Sequence, residues 1–376
     1  MNLIDTNIGN PYIITELVEQ TLSKYGYKSK DIFSGYADIA NLPYQRTPKI
    51  EFEELIRFYY DKILHRPLTQ TDYIVLTEGT LGAANCVCWA IQKLMGKTCL
   101  DPLKIYHLNE PPTYTIFNHL ADTIPNCIFN HKSIETNNVI ETNNVIENKT
   151  NFNNYFNKSN YILTPDYDYI PDVSLFISPN NPTGELITER LGHWQIIDSV
   201  YDTPLFTGQY DPLNKKLSNR EIHIESLSKL GVPSYRFGWF ITNDPMIYSK
   251  AHEYKKIYNV GQNIASYSMA KHYIELIHKT QIYDQLAKTT IKLFDTRRNQ
   301  LTNILNKQNI YELKKTKINY APYMFLPISK QIFNSIGINT RQGEDFFYSN
   351  NYSRINLMMR SNDYNMMIKN LQQLNY

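Results

Sequence analysis

One lysine lies in an apolar stretch where a cation needs a chemical reason. Lys229 stands in "SLSKLGVPSYRFGW" (226–239), among glycine, proline and aromatic residues. A lysine partly withdrawn from water becomes a nucleophile that can form a Schiff base with a carbonyl compound. Ser226, Ser228 and Arg236 are residue types that clamp a phosphate, and arginine does so with two parallel hydrogen bonds. The stretch is therefore typical of a binding site for a phosphorylated carbonyl cofactor. Taken alone, S-x-S-K is a weak pattern, which a surface lysine also explains.

Polar and glycine-rich turns follow three other apolar runs. These turns lie in the stretches "TEGTLGAA" (77–84), "SPNNPTG" (178–184) and "IIDSVYD" (196–202). Turns at the carboxyl edge of a parallel sheet are where ligands bind in α/β proteins. A helix that starts in such a turn also offers free N–H groups to a phosphate. These turns give the lysine a plausible setting at one edge of a sheet.

Short apolar runs alternate with helical stretches through the first two thirds of the chain. Predicted strands begin near residues 72, 103, 126, 172, 193, 221 and 234. Helices are predicted at 51–64, after Gly79, after Tyr114 and through most of 246–306, and an amphipathic helix is predicted near 362–374. Alternation of this kind predicts parallel βαβ units with right-handed crossovers.

The order of the motifs resembles that of the class I/II aminotransferases, which are pyridoxal-phosphate (PLP) enzymes of the aspartate-aminotransferase fold, fold type I. A G-T-L turn, P-x-Y, N-P-T-G, D-x-x-Y, S-x-S-K and R-x-G follow one another from "NIGNP" (7–11) to "SRINLM" (353–358). The lysine motif is similar to that of the valine–pyruvate-type transaminases. The resemblance implies an α/β fold. It has a large PLP-binding domain over 45–275, with a mostly parallel sheet of the seven-stranded type flanked by helices, and a smaller α/β domain from 1–44 and 276–376.

The resemblance also implies a role for each motif residue. Lys229 would hold pyridoxal 5'-phosphate as an aldimine and move the Cα proton of the substrate, and Asp198 would pair with the protonated ring nitrogen. Asn181 and Tyr201 would hydrogen-bond the phenolic oxygen of the ring. The other implied residues are Tyr114 against the ring face; Gly79, Thr80, Leu81, Ser226, Ser228 and Arg236 around the phosphate; and Arg354, Asn181 and Asn10 at the substrate, with Arg360 as an alternative to Arg354 for the α-carboxylate.

The activity implied is transfer of an amino group between an α-amino acid and a 2-oxo acid. The same scaffold supports β-elimination, decarboxylating or Claisen-type acyl transfer and racemisation, because the pocket selects which bond breaks. These reactions therefore remain open. The resemblance further implies a homodimer, in which Tyr36 or Tyr44 would reach the phosphate of the neighbouring subunit.

Composition excludes several other classes of protein. A formal net charge of +2 over 376 residues does not favour a nucleic-acid partner. Neither a signal peptide nor an apolar run of membrane-spanning length is recognisable, so we expect a cytoplasmic protein without a membrane partner. The four cysteines and nine histidines show no metal-binding spacing, which predicts reduced buried thiols and no metal. The segment 134–151 contains "IETNNV" twice in tandem (134–139 and 140–145) followed by the similar "IENKTN"; it is polar and predicts a surface loop.

Overall fold

Twelve strands are formed by the part of the chain that the computed structural model describes, residues 4–7, 9–33, 50–131, 170–214, 220–258, 263–307 and 320–372. The repeat at 134–151, Tyr36 and Tyr44 lie outside the described residues. The strands are β1 Ile4–Asp5, β2 Tyr73–Thr77, β3 Leu103–His107, β4 Cys127–His131, β5 Val173–Ile177, β6 Trp194–Asp198, β7 Glu221–Ser226, β8 Gly238–Thr242, β9 Tyr323–Leu326, β10 Ile338–Asn339, β11 Arg341–Gln342 and β12 Ser353–Asn356.

The main sheet has seven strands in the order β2-β8-β7-β6-β5-β3-β4. Strand β8 runs antiparallel to both of its neighbours, β2 and β7. The other pairs are parallel. Strands β5 and β6 are buried along their whole length, which explains why they are nearly continuous apolar runs rather than alternating ones. The predicted mostly parallel sheet is confirmed.

Helices cover both faces of this sheet. Helix α4, Thr80–Leu94, starts shortly after β2 and packs with α7, Pro245–Tyr258, over one apolar face. The long helices Ile264–Thr280 and Tyr283–Lys307 share a second core with α1, Tyr12–Ser23, and α3, Ile50–Lys62. The predicted helix between β3 and β4 is only a 3-10 turn, Thr115–His119, followed by a single helical turn. The helices are α1 Tyr12–Ser23, α2 Ser29–Phe33, α3 Ile50–Lys62, α4 Thr80–Leu94, α5 Leu120–Thr123, α6 Pro204–Thr207, α7 Pro245–Tyr258, α8 Ile264–Thr280, α9 Tyr283–Lys307, α10 Lys330–Ser335 and α11 Ser361–Leu371.

Two smaller sheets contain the strands that lie nearest the two ends of the chain. Strand β1 pairs in parallel with β10, with Ile4 opposite Ile338. Strands β11, β12 and β9 form a separate antiparallel sheet. A contribution from both chain ends is what the predicted smaller domain requires, while the boundaries proposed for the two domains remain a prediction.

Three of the four cysteines are buried, as expected, but Cys99 is exposed. The expectation is wrong at this residue because Cys99 lies in the loop between α4 and β3, outside the core. Within the described ranges, no helix combines the length and the apolar character needed to cross a bilayer.

Candidate functional site

The carboxyl ends of β5, β6 and β7 meet at one edge of the main sheet. Asp198 ends β6 and lies opposite Ile177, the last residue of β5. The same residue lies opposite Ile224 of β7. Asn181 follows β5 by four residues and Lys229 follows β7 by three. The parallel register therefore brings the three motifs to one edge, as the sequence predicts.

Asp198 is a buried acid without a close counter-charge. Its Oδ1 accepts a hydrogen bond of 3.1 Å from the Val200 N–H. No cation of the described residues lies within ion-pair distance of its carboxylate. Burial raises the pKa of Asp198 to about 7, against the Val200 N–H and the more distant charge of Lys229, which both lower it. A protonated ring nitrogen is the kind of group that would stabilise this carboxylate.

Lys229 lies in a single turn that begins where β7 ends. The Ser226 hydroxyl accepts from the Ser228 N–H at 3.3 Å and so caps the turn, Leu227–Leu230. The half-buried Lys229 amine donates a hydrogen bond of 2.6 Å to the Gly9 carbonyl oxygen. Its Nζ also lies 5.6 Å from the centroid of the Tyr201 ring. The nucleophile of the prediction is thus oriented by contacts that come from two distant parts of the chain.

The first turn of α4 lies beside Arg236. Gly79 precedes this helix with φ of 92°, a backbone conformation that favours glycine. The Arg236 guanidinium donates to the Glu78 carbonyl at 3.0 Å, and its Nη2 would lie 2.8 Å from a Cβ built on Gly79. The first N–H groups of a helix have no partner within it, here those of Thr80 and Leu81. Free N–H groups beside an exposed guanidinium make a suitable phosphate site.

Arg354 reaches the main sheet from β12. Its side chain is 1% exposed, and Nη1 donates to Asn181 Oδ1 at 3.1 Å. Nη2 donates to the Asn7 carbonyl at 2.7 Å. Arg360, the alternative, is exposed and lies over the Tyr12 ring instead. Of the two arginines, Arg354 is the one that contacts another predicted site residue.

Asn10 borders the site through its backbone. Its carbonyl accepts from Asn356 Nδ2 at 3.1 Å, while its side chain donates to the Tyr12 hydroxyl at 2.9 Å. Tyr114 is half-buried, and the Arg341 guanidinium lies 5.2 Å from the centre of its ring. That arginine did not enter the sequence prediction, because "NTRQGEDFF" carries no signal that separates it from a surface residue.

Tyr323 was also missed. It is fully buried on β9, and its hydroxyl oxygen lies 2.7 Å from that of Tyr201. The Arg354 guanidinium lies 4.3 Å from the centre of its ring. In the sequence Tyr323 stands in the apolar run "APYMFL", where an aromatic residue predicts core packing and nothing more.

The residues at this edge fit PLP chemically. The cofactor has a basic ring nitrogen, an aldehyde and a phosphate, and the edge carries a buried acid without a counter-ion, an amine, and a helix start beside an arginine. The assignment of individual residues to the cofactor remains a proposal.

Comparison with known protein sequences finds a matching family model and two curated relatives. A family model described as "Allinase" matches residues 22–328. Over 222 residues the chain is 25% identical to an alliin lyase of Allium cepa var. aggregatum, covering 52% of this chain and 48% of the relative. Over 232 residues it is 24% identical to tryptophan aminotransferase-related protein 4 of Arabidopsis thaliana, covering 54% and 48%. The chain thus spans about half the length of the curated relatives it matches.

Solved aminotransferase structures share the fold. A Staphylococcus aureus aminotransferase superposes with a TM-score of 0.64 at 17% identity, covering 100% of this chain and 94% of the other. The histidinol-phosphate aminotransferase of Clostridium acetobutylicum gives a TM-score of 0.61 at 18% identity, covering 98% of each chain. These likenesses show fold type I and do not by themselves identify the reaction.

Proposed function

The chain belongs to the allinase family of PLP-dependent fold-type-I enzymes, and from that premise we propose that it is an aminotransferase that moves an amino group between an α-amino acid and a 2-oxo acid. The observation that carries the proposal is the buried Asp198 carboxylate, which has no close counter-ion among the described residues and lies at the sheet edge shared by Lys229 and Asn181. PLP implies amino-acid substrates, and the 2-oxo acid is the part specific to this proposal.

PLP, when bound, supplies an electron sink for the pair that remains at the substrate Cα after a bond to that carbon breaks. Asp198 would hold a proton on the ring nitrogen and so keep the ring cationic. The Arg236 guanidinium, the N–H groups of Thr80 and Leu81, and the Ser226 and Ser228 hydroxyls would bind the phosphate. The amide oxygen of Asn181 already accepts a hydrogen bond from Arg354. Its amide N–H is therefore the group that would donate to the phenolic oxygen of the cofactor.

The amine of Lys229 has two tasks in this proposal. It would attach the cofactor covalently and, once freed by the substrate amine, carry a proton between the substrate Cα and the cofactor carbon. Arg354 would bind the α-carboxylate through its fork. Tyr114 would cover one ring face, and the backbone of residues 9 and 10 would border the substrate. The enzyme would act as a homodimer, which a mass measurement in solution would check.

A second function, β-elimination from a cysteine derivative, has its own support. One relative is named for this type of reaction, alliin lyase, and the family bears the same name. A lyase of this kind acts on one amino acid: the sulfur group leaves Cβ with a proton, and water hydrolyses the remaining enamine to an oxo acid and ammonia. An aminotransferase instead needs an oxo-acid acceptor. The acceptor requirement therefore separates the two functions.

The test combines substrate and acceptor in one panel. The purified protein, loaded with PLP, is incubated with single amino acids and with alliin, each with and without 2-oxoglutarate or pyruvate. We expect a new amino acid only where an acceptor is present. Release of ammonia from a single amino acid without an acceptor would favour the lyase and contradict the aminotransferase.

Lys229→Ala tests the covalent step independently of the substrate. Borohydride reduction of the loaded wild-type protein should leave a pyridoxyl group on Lys229, which mass spectrometry of the peptide identifies. Lys229→Ala should lack this adduct and lose at least about 10³-fold in turnover, because no other group replaces the nucleophile. Lys250→Ala, which removes a lysine paired with Glu253 on α7, is the matched control and should retain both. If borohydride reduction of the loaded wild-type protein left no pyridoxyl group on Lys229, the proposal would be wrong.

A further inference from the structure

Tyr323 lies where three of the site residues predicted from the sequence converge. Its hydroxyl is 2.7 Å from the Tyr201 hydroxyl and forms a side-chain hydrogen bond with Lys229. The Arg354 guanidinium covers its ring at 4.3 Å. These contacts come from the turns after β6 and β7 and from β12, so Tyr323 joins the main sheet to the C-terminal sheet at the reacting amine.

Gly9 closes the other side of this cluster. A Cβ built on Gly9 would lie 2.5 Å from the Tyr323 oxygen and 3.5 Å from Lys229 Nζ. A side chain at position 9 would therefore displace the phenol, and only glycine allows the backbone to approach so closely. The Gly9 carbonyl accepts from the Lys229 amine at 2.6 Å. The amine is thus held between a carbonyl and a phenol.

The charges around Tyr323 differ from those around an ordinary buried tyrosine. Burial acts to raise the pKa of Tyr323, but the positive charges of Lys229 and Arg354 and the hydrogen bond with Tyr201 outweigh it and lower that pKa. The pKa of Tyr201 is raised well above its usual value, first by burial and then by Tyr323. Asp198 raises the pKa of Tyr201 as well. Tyr323 is therefore the stronger acid of the two phenols.

On the basis of the proposed function, we propose that Tyr323 is a further catalytic residue, which holds the Lys229 amine in the direction that its two tasks require. The Tyr323 oxygen and the Gly9 carbonyl oxygen each accept a hydrogen bond from the amine. With these two contacts made, the electron pair of the neutral amine has a fixed direction, and this pair acts as the nucleophile or the base. Tyr323 itself gains and loses no proton in this role.

Tyr323→Phe removes the hydroxyl and keeps the ring beneath Arg354. Tyr364→Phe is the matched control, because Tyr364 is also buried, carries the Arg297 guanidinium 4.4 Å from its ring centre and donates a 2.9 Å hydrogen bond. We expect Tyr323→Phe to lower kcat about 10²-fold with little change in KM, because the amine loses one of the two contacts that direct it while the substrate keeps its own contacts. The control should retain the wild-type kcat. An unchanged kcat in a loaded Tyr323→Phe enzyme would overturn the inference.

A titration without cofactor tests the pairing independently of activity. In the cofactor-free protein labelled with 13Cζ-tyrosine, the Tyr323 signal is the one lost in Tyr323→Phe. It should titrate at a lower pH than the Tyr364 signal, whose pKa burial raises, and Lys229→Met should move it to a higher pH by removing one cation. The inference would be overturned if Tyr323 titrated at the same pH as Tyr364, or if Lys229→Met left the titration pH of Tyr323 unchanged.

The two proposals can fail separately. A wild-type protein that takes up no PLP would overturn the proposed function and, with it, the catalytic role of Tyr323. A wild-type protein that is loaded and active, with Tyr323→Phe equally active, would overturn the role of Tyr323 alone.

Discussion

At the scale of single residues, the site contains carboxylic acids held away from water. Asp198 and Glu225 lie on the neighbouring strands β6 and β7, and burial raises the pKa of each to about 7. Glu225 accepts a hydrogen bond from the Tyr60 hydroxyl, whereas Asp198 accepts one from the Val200 backbone N–H. An acid whose pKa is higher in the folded than in the unfolded state destabilises the fold as the pH rises between the two values.

Asp198→Asn should therefore stabilise the cofactor-free protein at pH 8 and abolish most of the activity. The pKa rises from 3.8 to about 7, which corresponds to an upper limit of about 4 kcal/mol in the free energy of unfolding. The gain should vanish near pH 3, where both states are largely protonated. Urea unfolding at the two pH values measures it.

Glu225→Gln is the matched control for this effect. It removes the charge of a second buried acid with a similar pKa and has no assigned task at the cofactor. It should give a similar pH-dependent gain in stability but retain the wild-type kcat. If Asp198→Asn also retained its kcat, Asp198 would have no part in the mechanism.

At the scale of elements, the sequence predicts the main sheet well for a physical reason. Strands covered by helices on both faces need apolar side chains throughout, so β5 and β6 are recognisable as apolar runs bounded by turns. The short segment after Tyr114 is less well predicted, because one helical turn and a longer helix share the same local pattern.

Contacts between distant segments are the part that the sequence does not predict. The motifs identify Lys229 and Asp198 because chemistry restricts their residue types and order. Tyr323 and Gly9 contact Lys229 only through the pairing of β1 with β10 and the position of β9. No local pattern encodes such pairings, so an aromatic residue and a glycine in these segments resemble core and turn residues.

Gly238→Ala tests how closely the phosphate turn packs against the sheet. A Cβ at Gly238 would lie 2.6 Å from the Gly79 Cα, which is backbone and cannot rotate away. We expect a loss of about 1–3 kcal/mol in the free energy of unfolding. The affinity for PLP should fall as well, because Gly79 leads into the first turn of α4. Urea unfolding and a PLP titration measure the two effects.

Gly82→Ala is the control in the same helix. Its nearest contact would be a side-chain atom of Glu78 at 3.6 Å, which is ordinary van der Waals distance. Alanine should stabilise α4 by about 0.5–1 kcal/mol and leave PLP affinity unchanged. Equal affinities in Gly238→Ala and Gly82→Ala would show that the close approach does not shape the phosphate site.

At the scale of the whole molecule, the site is completed by both ends of the chain. The Asn7 carbonyl accepts from Arg354 and the Gly9 carbonyl from Lys229. The Thr15 hydroxyl donates to the Gly231 carbonyl at 2.6 Å. The N-terminal segment is therefore held against two sheets at once, and its order should depend on single buried hydrogen bonds near β12.

Asn356→Ala tests this dependence on the C-terminal side. Asn356 is 1% exposed, and its amide donates to the Asn10 carbonyl at 3.1 Å and accepts from the Met358 N–H at 2.9 Å. Its removal leaves both backbone groups without these bonds, at a cost of about 1–3 kcal/mol. We expect faster proteolytic cleavage near residues 7–12 and a higher KM, because local opening of this segment also frees the carbonyl that supports Arg354.

Asn370→Ala separates this effect from a general loss of stability. The Asn370 amide donates a 2.9 Å hydrogen bond to the Ile336 carbonyl, and it lies on α11 rather than on β12. Its loss should lower the free energy of unfolding without faster cleavage near residues 7–12, since its amide bonds the Ile336 carbonyl and not the backbone of that segment. If the two variants were cleaved there at equal rates, the segment would open through global unfolding and Asn356 would not be its support.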